Sequence, residues 1–325
     1  MVEIRSVKGI LFGLLSGLAV GLSSPAEADY PERQIRFVVP YSAGGGTDIV
    51  ARLVAQKLGE TLKQPVIVEN KVGADGMLGI EAVVGAKPDG YTILVTTAAV
   101  AINPSIHRKA RYDPMKDLQP IAQLVSLPFV LVMNPQVPVN TLPELVEYMK
   151  RVGKKANFAT GGTTTTLAAE LFRLVAGVDF TLIPYKGSSP AILSVVTGET
   201  QFYISDIPSA AGQVSSGALR AVAVTGDSRL PSMPAIPTAK EAGLPQYHVA
   251  SWFAAFAPAG TALDLVEKLN LEMGRIVQQP VTAAKIASLG AVPALRSVGE
   301  FTAFFRSEVA RWRDVVAQSG MRVED

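Results

Sequence analysis

Apolar residues along the chain alternate between two spacings. Short continuous apolar runs, such as residues 35–39, are typical of buried strands. Between these runs, as in residues 47–58, apolar residues recur every three or four positions, which is typical of helices that pack on one face. Strands that alternate with helices predict βαβ units with helices on both faces of the sheet. The pattern therefore predicts an α/β fold with mostly parallel sheets.

Turn residues and apolar runs give the approximate bounds of the elements. The predicted strands are residues 35–39, 66–68, 91–97, 158–159, 180–185, 201–205, 219–225 and 249–257. The predicted helices are residues 47–58, 77–84, 141–152, 165–176 and 190–197, then several in residues 263–319. Gly59 is expected to end the first helix, and Gly290 and Gly299 to separate the last ones. The apolar stretch 121–132 contains Pro128, which predicts two strands or one bent strand.

The length predicts two lobes. A chain of 325 residues is too long for one core of ordinary size. No linker-like stretch divides it, so we expect extended segments near Pro128 and near residues 250–251 to cross between the lobes. Residues 29–129 with 252–325 then form the first lobe, and residues 130–251 form the second. Ligands of open α/β sheets bind beyond the carboxyl ends of the strands, which directs attention to the loops between the lobes.

A glycine-rich loop at residues 40–48 separates the first strand from the first helix. Bare N–H groups at a helix N-terminus attract anions. The loop is not a Walker A motif, because no Gly-Lys-Ser/Thr follows, and Ile49 stands where a dinucleotide fingerprint requires Gly or Ala. The alternative is a tight turn with Thr47 or Asp48 as the helix cap. The candidate ligand contacts are Tyr41, Ser42, Ala43, Gly44, Gly45 and Thr47.

A second loop at residues 160–166 has the same order of strand, glycine pair, hydroxyl side chains and helix. One threonine is expected to serve as the N-cap, and the alternative is that all of them only supply the cap. The two loops would face each other if they lie on different lobes. Two strand ends, Thr97 and Asp206, complete the predicted site, whereas Asp75 is expected to be a turn residue. The candidate contacts of this loop are Thr160, Gly162, Thr163 and Thr164.

The amino-acid composition excludes several classes of function. The chain is 48% hydrophobic and 18% charged with a net charge of +2, and no run of basic residues exceeds two, which argues against a nucleic-acid surface. The chain has no cysteine, which excludes disulfides, thiol catalysis and thiolate metal sites. Its two histidines do not stand at metal-ligand spacing. We therefore expect neither a metal nor a cofactor.

The first 28 residues are interpreted as a signal peptide. Arg5 and Lys8 precede an apolar run at residues 9–22, and Ala26-Glu27-Ala28 is a small-x-small cleavage site. The run is 14 residues long, which is short for a helix that must cross a bilayer of about 30 Å. The alternative is an N-terminal membrane anchor. Cleavage near Ala28 would release the mature protein into the periplasm.

Several sequence blocks, in order along the chain, resemble those of Bug-type proteins, the extracytoplasmic solute-binding components of tripartite tricarboxylate transporters. The blocks are YPERQI (30–35), PYSAGGGTD (40–48), VENK (68–71), PDGYT (88–92), YKG (185–187) and EAG (241–243). The resemblance covers essentially the whole mature chain. It departs at Val72 and Asp75, where many relatives carry proline and glycine. In residues 163–166 this chain has threonines, whereas relatives often have a Ser/Asn-rich segment with a histidine.

The resemblance implies a periplasmic-binding-protein fold whose two lobes close over a small organic carboxylate. It also implies that residues 41–47 and 160–164 hold one carboxylate group, and that a large and a small integral membrane subunit are the partners. We expect a monomer without catalytic activity. A secreted hydrolase that uses Ser42 is the main alternative, although the sequence offers no G-x-S-x-G elbow. A periplasmic sensor subunit is the other alternative, since it would also close on its ligand.

Overall fold

Residues 30–185 and 187–319 are described by a computed structural model of the chain. The predicted signal peptide, residues 1–28, lies outside the described residues. The strands are β1 (Ile35–Val39), β2 (Val66–Asn70), β3 (Thr92–Thr97), β4 (Leu118–Met133), β5 (Asn157–Thr160), β6 (Thr181–Pro184), β7 (Phe202–Asp206), β8 (Arg220–Val224), β9 (Ala250–Pro258) and β10 (Val292–Pro293). In this part of the chain, no helix combines the length and the apolar character that crossing a membrane requires.

Ten α-helices are described in these residues, with short 3₁₀ turns at Ala74–Gly76 and Gly153–Lys155. The helices are α1 (Gly46–Leu62), α2 (Met77–Val84), α3 (Ala99–Ile106), α4 (Leu142–Val152), α5 (Thr163–Ala176), α6 (Ser188–Thr197), α7 (Ile207–Ser215), α8 (Leu263–Gln278), α9 (Pro280–Ser288) and α10 (Val298–Ser319). Helices and strands alternate as the sequence pattern predicted, and the α/β prediction is confirmed.

The strands follow the order β2-β1-β3-β9-β4-β7-β5-β6, with β8 and β10 also paired to β4. Strands β1, β2 and β3 are parallel, and so are β5, β6 and β7. Strand β9 is antiparallel to both β3 and β4, and β4 is antiparallel to β7 and β8. Each lobe thus contains three parallel strands, and the antiparallel strands β4 and β9 lie between the two sets.

Strand β4 belongs to both sheets. Residues 118–128 pair with β9, and residues 129–133 pair with β7 and β8. The partner changes between Pro128 and Phe129, where proline has no N–H to donate. The sequence left two strands or one bent strand open, and the structure has one continuous strand. Pro128 therefore marks a change of partner and not a break in the chain.

The strand directions place the carboxyl ends of both parallel sets opposite each other. Because β9 is antiparallel to both β3 and β4, the first set runs in the same direction as β4, toward the second sheet. The second set runs against β4, toward the first sheet. Loops that follow β1, β3, β5 and β7 consequently meet near the point where β4 changes partner.

The C-terminal helix α10 contacts both lobes, since it packs against α3 and against α5. The core of the first lobe lies between its sheet and helices α1 and α8 on one side, and α2, α3 and α10 on the other. Helices α4 and α5 cover one face of the second sheet, in a cluster of buried residues continuous with that around α2, α3 and α10. Helices α6 and α7 cover the other face. The two sheets are thus covered by helices on both faces.

Two sequence predictions about helix ends were wrong, and helix α7 was missed. Helix α1 continues through Gly59 to Leu62 and ends at Lys63, whose φ of 56° is left-handed. A Cβ at Gly59 would lie 3.1 Å from Gln64 O, so the glycine lets the returning chain pack close to the helix. Gly299 lies in the first turn of α10 and does not interrupt it. Helix α3 was not predicted at all.

Candidate functional site

A cavity of about 200 Å³ lies between the opposed carboxyl ends of the two strand sets. Its polar lining comes from both lobes, and four of the predicted contacts contribute to it. The polar lining residues are Tyr41, Asp75, Thr97, Asn103, Thr163 and Thr164. The first four belong to the first lobe, and the two threonines begin α5 in the second. A ligand in this cavity would contact both lobes at once.

The first glycine-rich loop leads from β1 into the N-terminus of α1. Gly45 is the N-cap of this helix and has an extended backbone (φ −73°, ψ 163°). The first N–H groups of a helix have no partner within the helix, and those of Gly46 and Thr47 belong to this set. The helix dipole adds a partial positive charge at the same place. This loop therefore offers donors to an anion without a cationic side chain.

Asp48 braces this loop from within the first turn of α1. Its Oδ2 accepts from Gly44 N at 2.8 Å and from Arg52 Nε at 3.0 Å. Asn70 Nδ2 donates to Asp48 Oδ1 at 2.8 Å and to Tyr41 O at 2.9 Å. Burial disfavours the charged form, but the hydrogen bonds outweigh it and lower the pKa of Asp48. The Gly44 N–H is thus engaged within the protein.

Tyr41 brings a hydroxyl group into the cavity. Its Oη lies 2.7 Å from Thr97 Oγ1 and 3.4 Å from Thr96 Oγ1. Thr97 Oγ1 also accepts from Ala99 N at 3.2 Å, which links the strand end to α3. Burial raises the pKa of Tyr41, although the hydrogen bonds to the two threonines oppose the rise. The phenol therefore stays protonated at neutral pH and remains able to donate to an anion.

The second glycine-rich loop is held by its own threonines. Gly161 N donates to Thr165 Oγ1 at 2.9 Å, and Thr165 Oγ1 in turn donates to Gly162 O at 2.9 Å. Thr166 Oγ1 donates to the same carbonyl at 2.9 Å. The prediction that one threonine would be the N-cap was wrong, because Gly162 is the N-cap of α5 and no side chain caps it. Two threonines instead hold the loop through hydroxyl hydrogen bonds to its backbone.

The other two threonines of this loop line the cavity. Thr163 is exposed and Thr164 is partly exposed, and no hydrogen bond from either hydroxyl is found among the described residues. A Cβ at Gly162 would have no heavy atom within 4 Å, so this side of the cleft is open. These two hydroxyls are therefore available to a ligand.

A protein-family model described as the tripartite tricarboxylate transporter family receptor matches residues 50–321 of this chain. The chain belongs to this family. The family consists of solute-binding receptors, and the expected resemblance to Bug-type proteins is confirmed. The receptor is 33% identical to Protein BugT of Bordetella pertussis over 329 residues, which cover 100% of this chain and 99% of BugT.

Solved structures of relatives share the receptor's periplasmic-binding-protein fold. A TctC solute-binding protein from Polaromonas, solved with no ligand, has a TM-score of 0.81 at 27% identity and covers 89% of this chain and 99% of its own. R. palustris Rpa4515 with adipate has a TM-score of 0.71 at 31% identity and covers 90% and 99%. The receptor is thus closer in shape to the ligand-free relative, although its sequence is closer to the adipate-bound one.

Other predicted contacts of the receptor lie elsewhere or have structural roles. Asp206 is the N-cap of α7, where its Oδ1 accepts from Ser209 N at 3.0 Å, and its Oδ2 accepts from Ser188 Oγ at 2.5 Å. Both carboxylate oxygens are therefore in use, and Asp206 is not part of the cavity lining. Thr160 is buried at the end of β5 and is likewise outside the lining.

The remaining predicted contacts of the first loop are not among the residues that line the cavity. Ser42, Ala43, Gly44 and Gly45 are exposed, and Thr47 is buried under them. His107 Nε2 lies 3.2 Å from Asp75 Oδ2, and His248 Nε2 lies 3.1 Å from Asp227 Oδ1. Within the described part of the chain, neither histidine is paired with Ser42. A hydrolase that uses Ser42 would require a base, in the common triad a histidine, beside that hydroxyl.

Sequence reasoning missed part of the cavity wall. Asp75 had been expected to serve as a turn residue only, and Asn103 was not considered because α3 was not predicted. Asn103 is buried, and the apolar part of the wall also comes from α3, through Ala99, Ile102 and Ile106. The sequence contained one indication of this part of the wall, because α3 directly follows β3, whose last residue, Thr97, was a predicted contact.

Proposed function

We propose that this receptor captures one small organic carboxylate between its lobes and performs no chemistry on it. The carboxylate would accept from backbone N–H groups at the start of α1 and from the hydroxyls of Tyr41, Thr163 and Thr164. The observation that supports this most directly is the cavity itself, because it brings residues of both predicted loops together. Among the residues that the structure describes, the cavity lining contains neither lysine nor arginine, and the proposed grip uses hydrogen bonds and helix dipoles.

Hydrogen bonds alone are sufficient for useful affinity. A hydrogen bond to a charged group contributes about 1.5–3 kcal/mol net. Micromolar binding requires about 8 kcal/mol. Four or five such bonds therefore reach this value after the cost of ordering the ligand and closing the cleft is deducted.

Closure would be a hinge motion about the two strands that join the lobes. A ligand that contacts both lobes favours the closed state, and this difference in affinity shifts the equilibrium. The partner change at Pro128–Phe129 and the start of β9 at Ala250 support the proposed lobe boundaries, residues 29–129 with 252–325 and residues 130–251.

The biological setting is proposed on the same grounds. A cleaved signal peptide at residues 1–28 would place the receptor in the periplasm as a monomer. There it would deliver its ligand to a large and a small integral membrane subunit, as the family description implies. Turnover of a ligand by the purified protein would contradict the assignment as a receptor.

Thermal unfolding of the mature chain, from Asp29 onward, tests the proposal. Dicarboxylates, citrate, aromatic acids and amino acids would be compared with their amides. A ligand at a hundred times its dissociation constant stabilises the folded state by about 2.7 kcal/mol, a shift of several degrees. A shift with one acid and none with its amide is expected. No shift with any acid would contradict the proposed ligand class.

The variant Gly45→Val locates the site. Its extended backbone accepts valine, and the nearest atom to a Cβ is Ser42 O at 3.5 Å, so the fold should remain intact. The side chain would cover the N–H groups at the start of α1 and reduce affinity at least about tenfold, or 1.4 kcal/mol. The matched control is Gly212→Val, an exposed position in α7 with free space, which should bind normally. Normal binding by Gly45→Val would exclude the first loop from the site.

A further inference from the structure

Asp75 contributes a carboxylate to the wall of a cavity that is otherwise suited to anions. It lies in the 3₁₀ turn Ala74–Gly76 between β2 and α2, and its side chain is 69% exposed. Within residues 30–185 and 187–319, it is the charged side chain of the cavity lining, beside Tyr41, Asn103 and the two threonines of α5. A ligand whose carboxylate is held by the two loops must therefore place another of its groups near a negative charge.

The backbone at this turn is held in an uncommon conformation. Ala74 and Asp75 both have positive φ, 46° and 50°. Glycine adopts this region without strain, whereas other residues occupy it at a cost that tends to persist at functional sites. The buried Asn103 holds the turn, since its Nδ2 donates to Asp75 O at 3.0 Å. The chain thus keeps an acidic side chain at a position that glycine would fill with less strain.

The described basic side chains near Asp75 are not part of the carboxylate cavity lining. His107 Nε2 lies 3.2 Å from Asp75 Oδ2. Lys109 and Arg111 line a neighbouring cavity that also includes Asp75 and Glu81. They do not line the cavity that contains the threonines of α5. The exposed Asp75 carboxylate can therefore accept a hydrogen bond from a ligand in the carboxylate cavity.

We propose that Asp75 selects ligands that carry an ammonium group in addition to the carboxylate held by the loops. An ammonium group would donate to the Asp75 carboxylate in a charge-assisted hydrogen bond. A second carboxylate at the same place would face a like charge, which disfavours it. This inference rests on the proposed function and narrows the ligand class to amino acids over diacids of the same length.

Pairs of ligands with equal chain length test the inference. Calorimetric titration at pH 8 would compare 4-aminobutanoate with succinate, 5-aminopentanoate with glutarate, and 6-aminohexanoate with adipate. The two members of each pair have the same number of carbon atoms and share one carboxylate. An aminomethyl group replaces the other carboxylate, so the ammonium nitrogen takes the position of a carboxylate oxygen. We expect at least one amino acid to bind about tenfold more tightly than its diacid, a difference of 1.4 kcal/mol. Common α-amino acids and their matching diacids would extend the panel.

Two variants of Asp75 separate charge from backbone effects. Asp75→Asn removes the charge, and asparagine tolerates the same left-handed conformation. Asp75→Gly removes the side chain and relieves the strain. Both should lower affinity for the amino acid about tenfold and reduce or reverse the preference over the diacid. Glu81→Gln is the control, because Glu81 lines only the neighbouring cavity.

The outcomes distinguish this inference from the proposed function. Diacids that bind the wild type as well as or better than amino acids, with no change in Asp75→Asn, would overturn the role of Asp75 and leave the carboxylate receptor intact. If neither amino acids nor any other acid stabilises the protein, the proposed function fails, and the selection by Asp75 fails with it. An altered preference in Glu81→Gln equal to that in Asp75→Asn would also contradict the inference, because the effect would then be a general one of charge.

Discussion

The two glycine-rich loops follow the same sequence plan but are held in place by different chemistry. In the first, the buried Asp48 accepts from Gly44 N and pairs with Arg52, so an ionic brace lies behind the loop. In the second, the hydroxyls of Thr165 and Thr166 hold the loop without charge. Loops with the same pattern of residues therefore should differ in their response to pH and to substitution.

The glycines of the two loops also serve different purposes. Gly45 has an extended backbone and ordinary space around it, since an added Cβ would lie 3.5 Å from Ser42 O. Gly161 has no space, because a Cβ would lie 2.6 Å from Tyr203 Oη and 2.9 Å from the backbone of Gly187. The first glycine keeps donors accessible to a ligand, whereas the second lets the loop pack against its neighbours.

The largest expected effect is a difference in stability between the variants with alanine at Gly161 and at Gly45. Gly161→Ala should destabilise the fold by about 1–3 kcal/mol, because Tyr203 and the backbone of Gly187 must move. Gly45→Ala should cost about 1 kcal/mol or less, as an N-cap change without a clash. Chemical denaturation of both variants measures the difference. Equal losses of stability would show that the two glycines serve the same purpose.

The second-largest expected effect is on how the stability of the fold depends on pH. The folded-state pKa of Asp48 is lowered, because hydrogen bonds from Arg52, Gly44 and Asn70 outweigh the opposing effect of burial. A lowered pKa contributes stability that is present above the carboxyl's unfolded pKa of about 3.9 and is lost as the pH falls through the folded value. Asp48→Asn should therefore lower stability by about 1–2 kcal/mol at pH 7, and the difference from wild type should shrink below about pH 4.

The second loop supplies the control for this titration. Thr165→Val removes the hydroxyl that bonds Gly161 N and Gly162 O, and should cost about 1 kcal/mol. No charge is involved, so its cost should stay constant from pH 3 to pH 8. Denaturant unfolding across this range measures both variants. A cost of Asp48→Asn that is equally constant with pH would show that the first loop has no ionic brace.

Much of this comparison was accessible from the sequence, because it depends on local patterns. Hydrophobic periodicity indicated the α/β class, and glycine clusters at strand–helix junctions indicated both loops. The sequence did not show which hydroxyls are used locally. Gly162 O accepts from Thr165 and Thr166, and only the direction of α5 relative to β5 decides that Thr163 and Thr164 face the cleft.

Helix α3 shows where local reasoning fails. Pro104 lies inside this helix, where proline ordinarily removes a hydrogen bond to the carbonyl four residues earlier. That carbonyl belongs to Val100, and it accepts instead from Tyr112 Oη at 3.1 Å. A tyrosine eight residues beyond the proline thus replaces the missing donor. The residues of the helix itself give no indication of this hydrogen bond, so helix α3 was not predicted. Asn103 and the apolar part of the cavity wall, which belong to α3, were therefore not predicted either.

The smallest expected effect concerns the two threonine hydroxyls through which the second loop would contact the ligand. Thr163→Val and Thr164→Val should leave stability within about 0.5 kcal/mol, because neither hydroxyl has a role in bracing the loop. Each should weaken binding of the best acid about tenfold, because a hydrogen bond to a charged group at a solvent-accessible hydroxyl contributes about 1.5 kcal/mol, the lower end of its range. Titration calorimetry measures affinity, and denaturation measures stability.

Thr166→Val is the matched control for these two variants, since its hydroxyl donates to Gly162 O and lies outside the cavity lining. It should lower stability slightly and leave affinity unchanged within about twofold, because the loop keeps the Thr165 bonds. Wild-type affinity in both Thr163→Val and Thr164→Val would mean that the second loop provides only backbone groups to the ligand. The two loops would then act on the ligand in the same way and differ only in how they are braced.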